Sequence, residues 1–167
     1  MTRRGAVAAH GVHSPEVGGA IPSAAMKVVY LAGPYRAESE FGVHRNIHDA
    51  ELIAIEVWRM GAACICPHKN TAYFGGSLPD STWLEGDLEL VRRSDAVLLL
   101  ADWESSSGAR AEKSLAGQLG IPVLYDLSGL GIWLIERGVG AQTELRLIEH
   151  GPTKQFEPAS PQWPGIT

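Results

Sequence analysis

Glu112 is the residue whose type and position most directly suggest chemistry. It lies on the apolar stripe of a predicted helix that ends at Gly120, and the stripe continues through Leu115, Ala116 and Leu119. A glutamate in the first turn of a helix commonly faces solvent and interacts favourably with the positive end of the helix dipole. The stripe predicts an inward carboxylate instead, and a carboxylate at the floor of a cleft is a candidate nucleophile.

A second acid, Asp87, has a comparable position on another predicted helix. Residues 82–85 have the sequence of a capping box, which predicts a helix from there to about Arg93. Asp87 shares a face of this helix with Leu84 and Val91. An inward acid can be paired with a buried arginine or a cap. Two inward acids on separate elements favour catalysis, because burying unpaired carboxylates is costly.

The segments that must position these acids predict an α/β fold. Apolar runs that read as buried strands occupy residues 27–32, 62–67, 95–101 and 121–125. Helical patterns alternate with them, and the first of these runs from His44 to Met60 after a loop at 37–42. We therefore predict one doubly wound, Rossmann-like parallel sheet of four to five strands with helices on both faces.

Two glycine-containing loops, residues 33–36 and 105–108, follow the first and third strands. In a flavodoxin-like order these strands are neighbours, so both loops would meet in one crevice. Gly33 allows close backbone approach, and Arg36 offers a guanidinium fork for phosphate, although it also fits a surface arginine in a turn. Loop N–H groups and a helix N-terminus make this edge suited to anions.

A polar and aromatic loop is predicted at residues 68–79, after the second strand. This loop is a candidate for one wall of the pocket, where it would contact a flat base. Cys64, Cys66 and His68 share a parity along this strand and its end, which admits a zinc site. Packing of small residues in the core is the favoured interpretation, because a further ligand is lacking.

Composition limits the class of protein. The 167 residues suit one globular domain, with 20% charged and 45% hydrophobic residues. A net charge of -5 without a basic stripe argues against binding to nucleic-acid polymers. No apolar run has membrane-spanning length, and no signal-like segment follows the first residues. Together with only two cysteines, these features predict a cytoplasmic protein that is not bound to membranes.

The domain boundaries follow from changes in composition. Residues 1–25 read as a disordered leader, or as translation upstream of a true start at Met26. The domain is predicted at 26–150, with helix-like spacing at 130–137 and a last strand or helix at 143–149. Residues 151–167, with four prolines, read as a loose tail.

Three motifs together resemble the nucleoside 2-deoxyribosyltransferase-like superfamily. They are Tyr30-Leu-Ala-Gly-Pro-Tyr-Arg36, Asp87-Leu-Glu-Leu-Val-Arg-Arg-Ser-Asp95 and Ser106-Ser-Gly-Ala-Arg-Ala-Glu112. The superfamily contains deoxyribosyltransferases, nucleoside 5′-monophosphate N-glycosidases and uncharacterised bacterial and phage domains. The chain is most similar to the last group, through residues 66–72 and 102–110, and the similarity covers about residues 27–125.

The resemblance implies a role for each matched residue. Glu112 falls at the nucleophile that attacks the anomeric carbon, and Asp87 at the acid that protonates or orients the leaving base. Tyr30 falls at the tyrosine that positions the nucleophile. The 5′-phosphate site falls on Gly33, Arg36, Ser106 and Gly108. With neighbouring loop residues added, the candidate substrate-binding set is Gly33, Tyr35, Arg36, His68, Asn70, Ser106, Ser107 and Gly108.

We therefore predict an N-glycosidase acting on a nucleoside 5′-monophosphate, ribo or deoxy. Ser106 stands where transferases that prefer free nucleosides tend to carry an acid, which favours a phosphorylated substrate. A deoxyribosyltransferase and a non-catalytic nucleotide sensor are the alternatives. The chemistry requires no metal and no other cofactor, and the resemblance implies a homodimer or larger homo-oligomer. We also expect the helix N-terminus to keep Glu112 charged.

Overall fold

The structure, a computed structural model, describes residues 26–139. Within this range the strands are β1 (Val28–Ala32), β2 (Ala63–Ile65), β3 (Ala96–Leu99) and β4 (Val123–Leu124). The helices are α1 (Glu40–Arg59), α2 (Pro67–Asn70), α3 (Asp80–Arg92), α4 (Ser107–Leu119) and α5 (Leu127–Ile135), and a 3-10 turn spans Trp103–Ser105. The predicted leader, the element at 143–149 and the tail lie outside the described residues.

The four described strands form one parallel sheet in the order β2-β1-β3-β4. The predicted parallel α/β sheet is confirmed, as is the placement of the first and third strands side by side. In their register Tyr30 pairs with Val97 and Ala32 with Leu99. The loops after β1 and β3 therefore leave the same edge of the sheet next to each other, as expected at a switch point.

The alternation of side chains along β1 divides the core into two layers. Val29 and Leu31 pack with residues of α1 and α5 on one face. Tyr30 and Ala32 pack on the other face, with residues of α3 and α4. The strand therefore points Tyr30 toward the two helices that carry Asp87 and Glu112.

Two helices begin earlier than the sequence patterns predicted. Helix α1 begins at Glu40 instead of His44, because the Ser39 side chain accepts a 3.2 Å hydrogen bond from the Gly42 amide and caps the helix. The predicted capping box at 82–85 is wrong. Pro79 occupies the cap of α3, and the Thr82 amide donates to its carbonyl, so residues 82–85 are already helical.

Other local predictions also need correction. The segment predicted as a loop from residue 68 opens with the short helix α2, which has Pro67 at its first position. Leu84 and Leu119, assigned to inward stripes, are about half exposed. Both lie near an end of their helix, Leu84 in the first turns of α3 and Leu119 at the last position of α4. Gly120 does end α4 as predicted, in the left-handed region at φ +68°.

No helix within residues 26–139 combines the length and the apolar character that crossing a bilayer requires.

We predict that Gly33→Ala destabilises the fold by about 1–3 kcal/mol, because overpacking a tight contact forces the backbone to shift. An added Cβ would lie 2.7 Å from Leu100 Cβ, because Gly33 and Leu100 are the first residues after the neighbouring strands β1 and β3. Chemical denaturation measures the change. Gly86→Ala is the control, since a Cβ at this helical glycine meets no atom within 4 Å. An equal effect of both substitutions would contradict the packing role of Gly33.

Candidate active site

A buried hydrogen bond between β1 and α4 forms the centre of the candidate site. The Tyr30 hydroxyl donates to Glu112 Oε1 over 2.7 Å, and both side chains are shielded from solvent. Glu112 is 7% exposed, so it faces inward as its stripe predicts. Small residues on α4 allow this approach, because Ala109 and Ala116 occupy the same buried face of the helix.

Burial makes Glu112 a weaker acid than an ordinary glutamate. Desolvation, opposed by the hydrogen bond from Tyr30 and reinforced by the charge of Asp87, raises the pKa of Glu112 to about 7. Desolvation therefore acts against the expectation that the helix N-terminus keeps this residue charged. Burial and the neighbouring charges of Glu112 and Asp87 raise the pKa of Tyr30 far above its ordinary value, so its hydroxyl stays protonated.

Asp87 belongs to the same electrostatic cluster. It is partly buried on α3, and desolvation raises its pKa to about 6. Its charge raises the pKa of both Tyr30 and Glu112, which means that the three groups lie within electrostatic range of one another. Helices α3 and α4 pack against each other, so the two acids come from neighbouring helices.

The loop before α4 is organised as a helix start. The Ser106 side chain caps α4 by accepting a 3.2 Å hydrogen bond from the Ala109 amide. Its hydroxyl proton remains available as a donor. Ser107 is exposed, and a Cβ at Gly108 would lie 3.3 Å from Leu84 Cδ2, so glycine there lets α3 pack closely. The arrangement presents backbone amides at the sheet edge, where an anion would bind.

Arg36 has a partner that sequence reasoning missed. Its Nη2 lies 2.5 Å from Asp80 Oδ1, and both side chains are largely exposed. The sequence patterns also did not identify Asn46, whose side-chain Nδ2 donates to the backbone carbonyls of Tyr35 and Arg36 at 3.2 and 3.3 Å. No local sequence signal marks either contact, because both depend on the tertiary approach of α1 and α3 to the turn.

His68 fastens α2 to the turn after β1. It is 3% exposed, and its Nε2 lies 3.1 Å from the Pro34 carbonyl, which assigns the proton to Nε2. Desolvation lowers the pKa of His68, so the ring is neutral, and its buried Nδ1 has no hydrogen-bond partner among residues 26–139. The Tyr35 ring lies 6.0 Å away, whereas Asn70 is exposed at the end of α2.

Cys64 and Cys66 pack against the core on the α1 and α5 face. Burial raises the pKa of the Cys64 thiol to about 12 and also raises that of Cys66. This is the behaviour of packed cysteines. Within residues 26–139, no group of three or more histidine, cysteine or acidic side chains is arranged to hold a metal ion.

Two clefts open near this edge of the sheet. One, of about 890 Å³, runs from Pro34 past α1 to the start of α5, with Asp49, Asp102 and Asp126 among its lining residues. The other, of about 560 Å³, lies beside β4. Neither is lined by Tyr30, Asp87 or Glu112. The acidic cluster is thus a separate feature, on the opposite face of the sheet from the α1 wall of the larger cleft.

The chain belongs to a protein family described as "Domain of unknown function (DUF4406)", whose model matches residues 27–125. No curated protein matches the chain. The matched region extends from the start of β1 to the end of β4 and includes every residue of the candidate site.

We predict that Glu112→Gln stabilises the protein at pH 8 by roughly 1–3 kcal/mol, because the variant removes an acid whose ionisation opposes folding. The raised pKa of Glu112 means that stability from its protonated form is present below about pH 4.5 and is lost as the pH rises through about 7. Urea unfolding across this range measures the effect. A variant whose stability profile parallels the wild type would contradict the buried position of the acid.

Proposed function

We propose that the protein is an N-glycosidase that hydrolyses the base–sugar bond of a nucleoside 5′-monophosphate, ribo or deoxy, in the cytoplasm and as a homo-oligomer. The observation that carries the proposal is the buried Tyr30–Glu112 hydrogen bond, with Asp87 in the same electrostatic cluster. The resemblance of the three motifs to the nucleoside 2-deoxyribosyltransferase-like superfamily supports the same assignment.

The two acids suit the two halves of this reaction. Cleavage of an N-glycosidic bond passes through an oxocarbenium-like state, which a nearby carboxylate can capture. A Glu112 oxygen bonds to the anomeric carbon as the carbon–nitrogen bond breaks, and the bonding electrons leave with the base. Asp87 supplies the proton that the base requires. Water then displaces Glu112 from the sugar and returns a proton to Asp87.

In the free protein a shared proton lies preferentially on Glu112, whose pKa of about 7 exceeds the pKa of about 6 for Asp87, so the proposed reaction requires the bound substrate to shift the proton to Asp87. The reaction requires Asp87 protonated and Glu112 ionised, which is one proton shared by two acids. Burial makes Asp87 a proton donor close to neutral pH by raising its pKa to about 6. The Tyr30 hydroxyl favours the ionised form of Glu112, and the positive charge developing on the sugar favours it further.

Features at the sheet edge support a phosphorylated substrate. Ser106, Gly108 and the start of α4 provide donors for an anion, and Arg36 supplies a guanidinium group within the adjoining turn. Asp80 already pairs with Arg36, so a phosphate would compete with this carboxylate. We propose that Gly33 and His68 shape the same wall, since His68 is bonded to the turn that follows Gly33.

One observation favours a nucleotide-binding domain without turnover as the second candidate. The acids do not line either of the two clefts described above, and Glu112 is largely buried. Such a domain would bind monophosphates but release no base. A deoxyribosyltransferase is the enzymatic alternative, and it would exchange bases faster than it hydrolyses when a free acceptor base is added.

We predict that Glu112→Gln and Asp87→Asn each lower base release by about 10²–10⁴-fold, because each removes an acid–base or nucleophilic group. A screen of the common nucleosides and monophosphates, read by chromatography of the free base, identifies the substrate for this test. Glu89→Gln is the control, since Glu89 is an exposed acid on α3 paired with Arg93. Release at the wild-type rate by either site variant would refute the assignment.

We predict opposite effects for the two partners of the exposed ion pair. Arg36→Gln should raise KM for a monophosphate about tenfold, the loss expected for one charge-assisted contact, with little effect on the free nucleoside. Asp80→Asn should lower KM for the monophosphate, since it frees the guanidinium. Steady-state kinetics on matched substrates measures both. Equal losses on nucleoside and monophosphate would show that Arg36 does not contact phosphate.

A further inference from the structure

Helix α4 carries a second functional stripe beside the one that contains Glu112. Arg110, Lys113 and Gly117 each follow one of the buried residues of α4 by one position, and Ser114 lies on the same side of the helix. Together they line the cleft of about 560 Å³ beside β4. A cleft of this size lies within the range of small-molecule sites.

The opposite wall of this cleft is aromatic. Trp103 comes from the 3-10 turn after β3, and Tyr125 follows β4. Asp102 adopts the left-handed conformation at φ +56°, which turns the chain immediately before Trp103. The Lys113 Nζ lies 4.5 Å from the Trp103 ring centroid and 5.9 Å from that of Tyr125, so its ammonium group is held against two rings.

The charge of the cleft contrasts with that of the chain. Arg110 and Lys113 are cationic, and none of the described residues that line the cleft carries a carboxylate, although the chain has a net charge of -5. One Arg110 Nη1 donor is used by the Glu104 carbonyl, which anchors the guanidinium and leaves its other donors free for an anion.

Gly117 lines the cleft without contributing a side chain to it. A Cβ added at Gly117 would meet no atom within 4 Å, so no packing contact requires glycine at this helical position. A larger side chain there would project into the cleft. Glycine in a helix interior is destabilising relative to alanine, so helix stability does not account for a glycine at this position.

We infer that this cleft is an accessory binding site for a mononucleotide-type ligand, a flat heterocycle that carries phosphate. The heterocycle stacks on Tyr125 or Trp103, and the phosphate is neutralised by Arg110 and Lys113. The site is distinct from the proposed catalytic cluster, because Tyr30, Asp87 and Glu112 do not line it. It therefore does not depend on the proposed activity.

The test uses the full-length chain labelled with ¹⁵N and titrated with adenosine 5′-monophosphate, adenosine or inorganic phosphate. The monophosphate should shift the amide signals of Lys113 and Tyr125 saturably, in the wild type and in Glu112→Gln alike. This agreement separates the accessory site from the catalytic proposal. Adenosine and inorganic phosphate should each bind at least about tenfold more weakly, because each offers half of the contacts.

Substitutions of Gly117 and Lys113 test the location. Gly117→Leu fills the cleft and should abolish the shift at Tyr125, whereas the control Gly117→Ala should bind within about threefold of wild type. Lys113→Gln should weaken the monophosphate about tenfold, while Lys69→Gln, which removes a surface lysine on α2, should not. The inference is overturned by unchanged binding to Gly117→Leu, by inorganic phosphate binding as tightly as the nucleotide, or by no shift at Tyr125 in the folded wild type.

Discussion

The candidate active site depends on a hydrogen bond between Tyr30, a tyrosine of the central strand β1, and Glu112, a glutamate on the helix that packs against it. Moving a carboxyl group from water into a protein interior is unfavourable unless it is hydrogen-bonded or protonated. Both conditions contribute at Glu112, since the Tyr30 hydroxyl donates a hydrogen bond to it and its raised pKa favours the protonated form. Under the proposed function, the chemistry needs a desolvated carboxylate, which gives the buried acid a role despite this cost.

The packing of the fold brings α4, which carries Glu112, and α3, which carries Asp87, close to Tyr30 on β1. Glycine at residue 33 fits against Leu100 where β1 and β3 end, and glycine at residue 108 fits against Leu84 of α3. The parallel pairing of β1 with β3 sets the height of Tyr30 relative to both helices. The absence of side chains at these two glycines thus allows the neighbouring elements to pack closely.

Sequence patterns predicted the features that depend on burial along a single element. Continuous apolar runs placed all four described strands, and the expectation of a flavodoxin-like order placed the first and third strands side by side. The inward position of Glu112 followed from its spacing relative to Leu115 and Ala116. These predictions succeed because buried segments must satisfy the same periodicity wherever they lie in the fold.

Features that depend on distant partners were not predictable in this way. The cap at Ser39 and the start of α3 at Pro79 compete with other plausible caps nearby, and local sequence does not decide between them. The contact between His68 and the Pro34 carbonyl joins residues far apart in the chain. The raised pKa of Glu112 was not predicted for a related reason, because desolvation depends on everything that packs around the carboxyl.

A mechanism through Glu112 requires a covalent intermediate, which mass spectrometry detects directly. A nucleoside 5′-monophosphate with fluorine at the sugar 2′-position slows breakdown of such an intermediate, because fluorine destabilises the oxocarbenium-like state. After incubation, the intact protein should gain the mass of one fluorinated sugar phosphate, and peptide fragmentation should place it on Glu112. Base release from this analogue with Glu112 unmodified, or an adduct on another residue, would contradict the account.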